Sequence, residues 1–118
     1  MSEQLELPFD PPLPYDRTKI RAKVLRTAET YVTKDRAGEH GNMEDNFKSI
    51  AAYWSQHLGT KVTAVDVAIM MTLLKIARLG SNEANLDNWV DGCGYLACGG
   101  ELIYDQLSDE EKAWEQGG

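Results

Sequence analysis

Asp87 and Asp91 lie four residues apart in a segment of helical periodicity, so both carboxylates fall on one helix face, about 40° apart around the axis. Like charges at that spacing repel unless a cation or a basic group sits between them. Their neighbours Leu86, Trp89 and Val90 are apolar, which does not describe a plain solvated face. Glu44, Asp45 and Asp66 are further carboxylates at the starts of helical segments. Oxygen ligands converging from several helices are what a Mg²⁺ or Mn²⁺ site needs. The alternative for these three is structural. Acids in a first helical turn are favoured by the helix dipole, and Asp66 follows Thr63 at the spacing of a capping box, with Asp in place of the usual Glu.

Lys75 and Arg78, three residues apart on an otherwise apolar segment, must find carboxylates or phosphates. An internal salt bridge to Asp87 or Asp91 and a phosphate clamp beside a metal bring the same groups together, and both alternatives stay open. The loop DRAGEHGNMEDN adds Arg36, His40 and Asn46 beside two glycines, a combination that wraps a phosphate or a base. Trp54, Trp89 and Tyr95 supply rings for stacking on a base, although such rings in a small bundle also serve as core. Cys93 and Cys98 fall on one helix and point away from each other, so a disulfide between them is strained. Without a histidine cluster they are too few for a structural zinc site. They are expected as small buried apolar side chains in a reducing compartment.

The elements that must hold these residues follow from pattern. The chain has 118 residues, enough for one domain, and a net charge of -7. That balance argues against a general nucleic-acid binder, which needs a basic face. No apolar run reaches the roughly 20 residues of a membrane span. MSEQLELPFD has no basic region followed by an apolar core, so no secretory signal is predicted, and a soluble cytosolic domain is expected. All four prolines (Pro8, Pro11, Pro12, Pro14) lie in residues 1–16, which predicts an extended tail; residues 17–118 form the helical domain.

A first helix starts near Thr18, with Ile20, Val24, Ala28, Tyr31 and Val32 at helical spacing. Asn42 before Glu44 and Asp45 opens a second, with Phe47, Ile50, Ala51, Trp54 and Leu58 on one face and Gly59 as its stop. VDVAIMMTLLKIARL is apolar on nearly all sides, which predicts the central helix of the bundle. A fourth helix begins near Ala84 or Asn85 and ends near Gln106. Its four glycines, Gly92, Gly94, Gly99 and Gly100, suggest a face that another backbone or a ligand approaches closely. Ser108 and Glu111 cap a short last helix through Trp114. The fold class is therefore all-α: a bundle of four main helices plus a short C-terminal helix, with an extended Pro-rich tail.

The run from Asp35 to Glu101 resembles a family of small phage and prophage proteins. The residues that carry it are Asp35-Arg36, His40-Gly41 (tyrosine is usual at the first), Glu44 to Phe47, Ile50-Ala51, Trp54, Asp66 to Ala68, Met70-Met71, Leu73 to Arg78, and Asp87 to Asp91 with Gly94-Tyr95. More distantly, the layout is similar to the MazG-like all-α nucleoside triphosphate pyrophosphatases. These are commonly oligomeric and use Mg²⁺ held by acids on two helices. Asp87-x-x-x-Asp91 resembles their second acidic motif. Their first, two glutamates three apart, is not evident, because Ile69 follows Asp66 at that spacing. The resemblance thus leaves open both a hydrolase and a nucleotide-binding relative without hydrolysis. In the tail, Gln4-Leu5-Glu6-Leu7-Pro8-Phe9 is similar to peptides that dock bacterial sliding clamps, with Gln4, Leu5, Leu7 and Phe9 as the anchors.

Two functional expectations result. The first is a phage-associated nucleotide-binding protein, Mg²⁺-dependent and related to nucleotide pyrophosphohydrolases. Asp87 and Asp91, assisted by Glu44, Asp45 or Asp66, would hold the metal, and Lys75, Arg78 and Arg36 would neutralise phosphate. The alternative is a non-enzymatic inhibitor of a host or defence factor, acting by protein binding or nucleotide sequestration, with the tail as its docking peptide. A homodimer is expected in either case, because four helices from about 95 residues form a modest core.

Overall fold

The computed structural model describes residues 12–34 and 42–113. Four long helices and one short one follow in order: α1 (Arg17–Thr33), α2 (Met43–Leu58), α3 (Ala64–Ser81), α4 (Leu86–Tyr104) and α5 (Asp109–Lys112). No strand occurs among the described residues. The helices pack in the spatial sequence α2, α3, α4, α1, with α3 against α4 as the most extensive contact.

Side-chain caps set the helix starts. Asp16, absent from the sequence expectation, begins α1: its carboxylate accepts from the Thr18 backbone N–H at 2.9 Å and from the Thr18 hydroxyl at 2.6 Å. These two bonds to the ionised form hold the Asp16 carboxyl below the usual carboxylate range. Asn42 caps α2, Thr63 with Asp66 forms the expected capping box on α3, and Asn85 caps α4. Gly59, at φ 69°, ends α2 in the left-handed region that favours glycine. The turn after it is pinned by Ser55, whose hydroxyl accepts from Val62 N–H at 2.7 Å and donates to Val62 C=O at 3.1 Å.

The core gathers Phe47 and Ala51 of α2, Val62 of the turn, and Val67 and Ala68 of α3, with Tyr95, Cys98 and Leu102 of α4 packed against it. It is small: Val67 is the one large side chain that is fully enclosed among the described residues. Two expectations need correction here. α3 is not covered on all sides, since Ile69, Leu73 and Ile76 are about half exposed, at 48%, 55% and 54%. α2 and α4 cover only one arc of it. On α4 the buried residues are Asn88, Val90 and Gly94, whereas Leu86 and Trp89, apolar neighbours of Asp87 and Asp91, are exposed. The expected close approach holds at two of the four glycines. A Cβ on Gly99 would lie 3.1 Å from Ala68 Cβ, and one on Gly94 3.1 Å from Val32 Cγ1, while nothing comes within 4 Å at Gly92 or Gly100.

Three boundaries shift. α1 begins one residue before Thr18, and α4 ends at Tyr104 rather than near Gln106. The last helix ends at Lys112, and Trp114 lies outside the described residues. Of the tail, Pro12 to Asp16 are described, all exposed; the expected extended run over residues 1–11 is outside the description.

Candidate functional site

The end of α1, the start of α2 and one face of α4 enclose an open cleft of about 1130 Å³. Asp87, Asp91, Gly94, Cys98 and Glu101 line it from α4, at steps of four, three, four and three residues. That is one continuous stripe along a helix. Glycine at the middle of the stripe lets α1 approach through Val32. Glu44 and Asn46 face it from α2, and Tyr31 and Lys34 from α1.

Four carboxylates thus line the cleft, and two of them already have partners. Lys75 Nζ reaches across from α3 to Asp91 Oδ2 at 3.0 Å, with its side chain only 13% exposed and that of Asp91 32%. This is the internal salt bridge anticipated for Lys75. Lys48 pairs with Glu44 at 3.1 Å along α2, in solvent. Asp87 occupies the first turn of α4, where the helix dipole favours a negative charge. Burial, with the nearby Glu101 carboxylate as the second cause, pushes the Cys98 thiol above its usual pKa. Both cysteines are unpaired and half-buried rather than fully buried. Tyr95 projects from α4 against Phe47, with ring centroids 6.3 Å apart, and forms part of the cleft wall.

The expected site residues separate into three groups. Asp87, Asp91, Glu44, Asn46 and Tyr95 meet at the cleft. Asp45, Asp66, Arg78, Trp54 and Trp89 do not line it. Asp45 accepts from the Asn42 side-chain amide at 3.0 Å, and Asp66 accepts from Thr63 N–H at 2.9 Å, so both serve the helix caps. Arg78 is exposed, Trp54 packs on the core, and Trp89 Nε1 donates to the Glu83 carbonyl at 2.9 Å. Arg36, His40, Gln4, Leu5, Leu7 and Phe9 lie outside the described residues. Glu101, Lys34 and Tyr31 were not anticipated. The signal for Glu101 was present, because the stripe that starts at Asp87 reaches it about four turns later. Among the described residues, no three acidic, histidine or cysteine side chains are grouped closely enough to hold a metal ion by themselves. No described helix is long and apolar enough to cross a membrane.

The cleft-bearing region coincides with a known sequence family. The profile of the domain of unknown function DUF6378 matches residues 23–103, which take in α1 from Lys23 through nearly all of α4. The Gene 55 protein of Mycobacterium phage L5 is 39% identical over 90 residues, covering 75% of this chain and 56% of that protein. The Gene 55 protein of Mycobacterium phage D29 is 29% identical over 92 residues, covering 78% of this chain and 61% of that protein. The chain therefore spans about three fifths of the length of these curated relatives. No solved structure matches it. With most of its helical domain inside the matched region and phage proteins as its relatives, the chain belongs to the DUF6378 domain family.

Proposed function

We propose that the cleft binds a nucleotide through a divalent cation, Mg²⁺ being the natural choice for oxygen ligands. The observation that carries this reading is the acidic stripe of α4, faced by Glu44, in an open cleft walled by Tyr31 and Tyr95. A cleft with four carboxylates repels a bare phosphate, so a polyphosphate enters it only together with a cation. Mg²⁺ typically keeps several waters and takes one or two carboxylates plus substrate phosphates. A site without three converging protein ligands is therefore compatible with it when the nucleotide supplies the rest. Asp87 and the Asp91 oxygen not held by Lys75 are the carboxylates for the cation, and Lys34 is a cation at the rim for a terminal phosphate. The tyrosine rings give a base something to stack on. Where hydrolysis accompanies binding, Asp87 and Asp91 would hold the cation, which would supply charge neutralisation and a more acidic water, and a cleft carboxylate would take that water's proton as its oxygen bonds to phosphorus and the bond to the departing phosphate or pyrophosphate oxygen breaks.

The test is a thermal-shift screen against nucleotides and cyclic nucleotides, with and without Mg²⁺. Binding to the folded state raises the melting temperature by mass action, so a catalytically silent protein still reports its ligand. The expected result is a shift that needs both nucleotide and Mg²⁺ and disappears in Asp87→Asn/Asp91→Asn. No shift with any nucleotide overturns the reading.

A second reading, a protein-binding role for the N-terminal tail, is favoured by Leu13 and Tyr15. They lead into the tail and are about half exposed, at 45% and 54%, so they present apolar surface next to the docking-like peptide. Its test is capture of a bacterial sliding clamp by the full chain, lost on Gln4→Ala/Phe9→Ala.

A further inference from the structure

The layer formed by α3 and α4 has two sides. α1 and α2 pack on one, where the cleft lies. By helical phase, Ile69, Leu73 and Ile76 of α3 and Leu86, Trp89 and Leu96 of α4 project from the other. All six are between 46% and 61% exposed. On this side, no Asp, Glu, Lys or Arg interrupts either helix from Ile69 to Gly80 or from Leu86 to Gly100. Lys75 is turned inward to Asp91. A monomer rarely leaves so large an uncharged apolar face in water.

We infer that a second copy of this chain covers the face, two α3–α4 layers meeting about a two-fold axis as a four-helix interface. Two observations select a second copy over another partner. Area is the first: the six side chains leave on the order of 700 Å² exposed, close to the roughly 800 Å² per partner buried in a standard specific interface. Charge is the second. Copies of a chain with net charge -7 repel each other, so a face free of charge is where they meet at least electrostatic cost, and this face is free of it. A two-fold axis opposes each residue with the same surface, and Leu, Ile and Trp are compatible with themselves across it. Pairing here leaves both clefts open on the outer sides of the dimer.

The test is sedimentation equilibrium of the full chain at micromolar concentration. The expected mass is twice 13.2 kDa. Leu73→Glu and Leu96→Glu, one on each helix, should each weaken the dimer by about 100-fold or more, because each buries an unpaired carboxylate. The uncharged Leu73→Ser should weaken it by about 10-fold, through lost apolar area alone. Circular dichroism should show the helices retained, since these positions are half exposed in the single chain. Tyr53→Glu, at a 76% exposed position on α2, should leave the dimer intact. A single-chain mass for the unmodified protein overturns the inference. A dimer that survives both Leu73→Glu and Leu96→Glu overturns it equally.

Discussion

Four glycines in one helix give a direct test of how closely α3 and α4 are packed. Replacing helical glycine by alanine gains about 1 kcal/mol from backbone entropy alone. At Gly92 nothing lies within 4 Å of the new methyl, so Gly92→Ala should stabilise the protein by about 0.5–1 kcal/mol. At Gly99 the methyl would meet Ala68 Cβ at 3.1 Å. Ala68 is 1% exposed and has no side-chain torsion to turn aside, so the two helices must separate along their main contact. Overpacking of that kind costs about 1–3 kcal/mol, which exceeds the propensity gain. The net result should be a loss of up to about 2 kcal/mol, or up to some 16 °C in Tm for a domain of this size. At Gly94 the obstacle is Val32 Cγ1, also at 3.1 Å, but Val32 is 40% exposed and sits on the peripheral α1. Gly94→Ala should therefore change stability by less than about 0.5 kcal/mol. Thermal and urea melts of the three variants give the order Gly92→Ala above wild type, Gly94→Ala near it and Gly99→Ala below. Gly99→Ala melting at or above Gly92→Ala would refute the close α3–α4 packing from which the whole site is built.

Lys75→Met removes the partner of a carboxylate that is one-third exposed, so the expected loss is about 1–2 kcal/mol, between surface and buried ion-pair values, and Asp91→Asn in the same chain should recover part of it; a double-mutant cycle in urea measures both. Thr63→Ala should cost about 1 kcal/mol and speed hydrogen exchange in the first turn of α3, because the capping box goes with the hydroxyl. The Asp16 carboxyl is held below its ordinary pKa, so its contribution is complete above the ordinary value and is lost as pH falls through the folded one. Asp16→Asn keeps the cap but should remove that acid dependence from the α1 helicity measured by circular dichroism. For Cys98 the sign is opposite: its raised pKa leaves stability intact below the ordinary thiol value and diminishes it as pH rises through the folded one. Its alkylation near neutral pH should be slower than that of a free thiol, as mass spectrometry of the labelled peptide would show.

Most of the fold was legible because local chemistry carries it. Asn42, Thr63 with Asp66, Gly59 and Ser108 with Glu111 mark helix ends that depend on nearby residues alone, and all four act as expected. Burial was less legible. Apolar periodicity says that a face seeks cover but not what covers it, so α3 read as central although its outer arc is open. On α4 the buried residues are Asn88, Val90 and Gly94, which do not share one face, and no hydrophobicity pattern selects Asn88 or Gly94. The candidate site was half legible. Asp87 and Asp91 declared themselves by spacing. Asp45 and Asp66 have the same residue type at similar helix positions; the capping-box spacing already offered a structural role for Asp66, and the hydrogen bonds show that caps employ both. Lys34 and Tyr31 reach the cleft because α1 crosses α4 at Gly94, a tertiary fact with no local signature.

Lys34 and Asn42 both stand on the rim of the cleft, one at the end of α1 and the other at the start of α2. The connection between them, residues 35–41, therefore begins and ends at the cleft. Its two anchor points are set by helix caps and owe nothing to its own composition. Substitutions or insertions there can change what the cleft admits without touching Phe47, Val67 or Ala68.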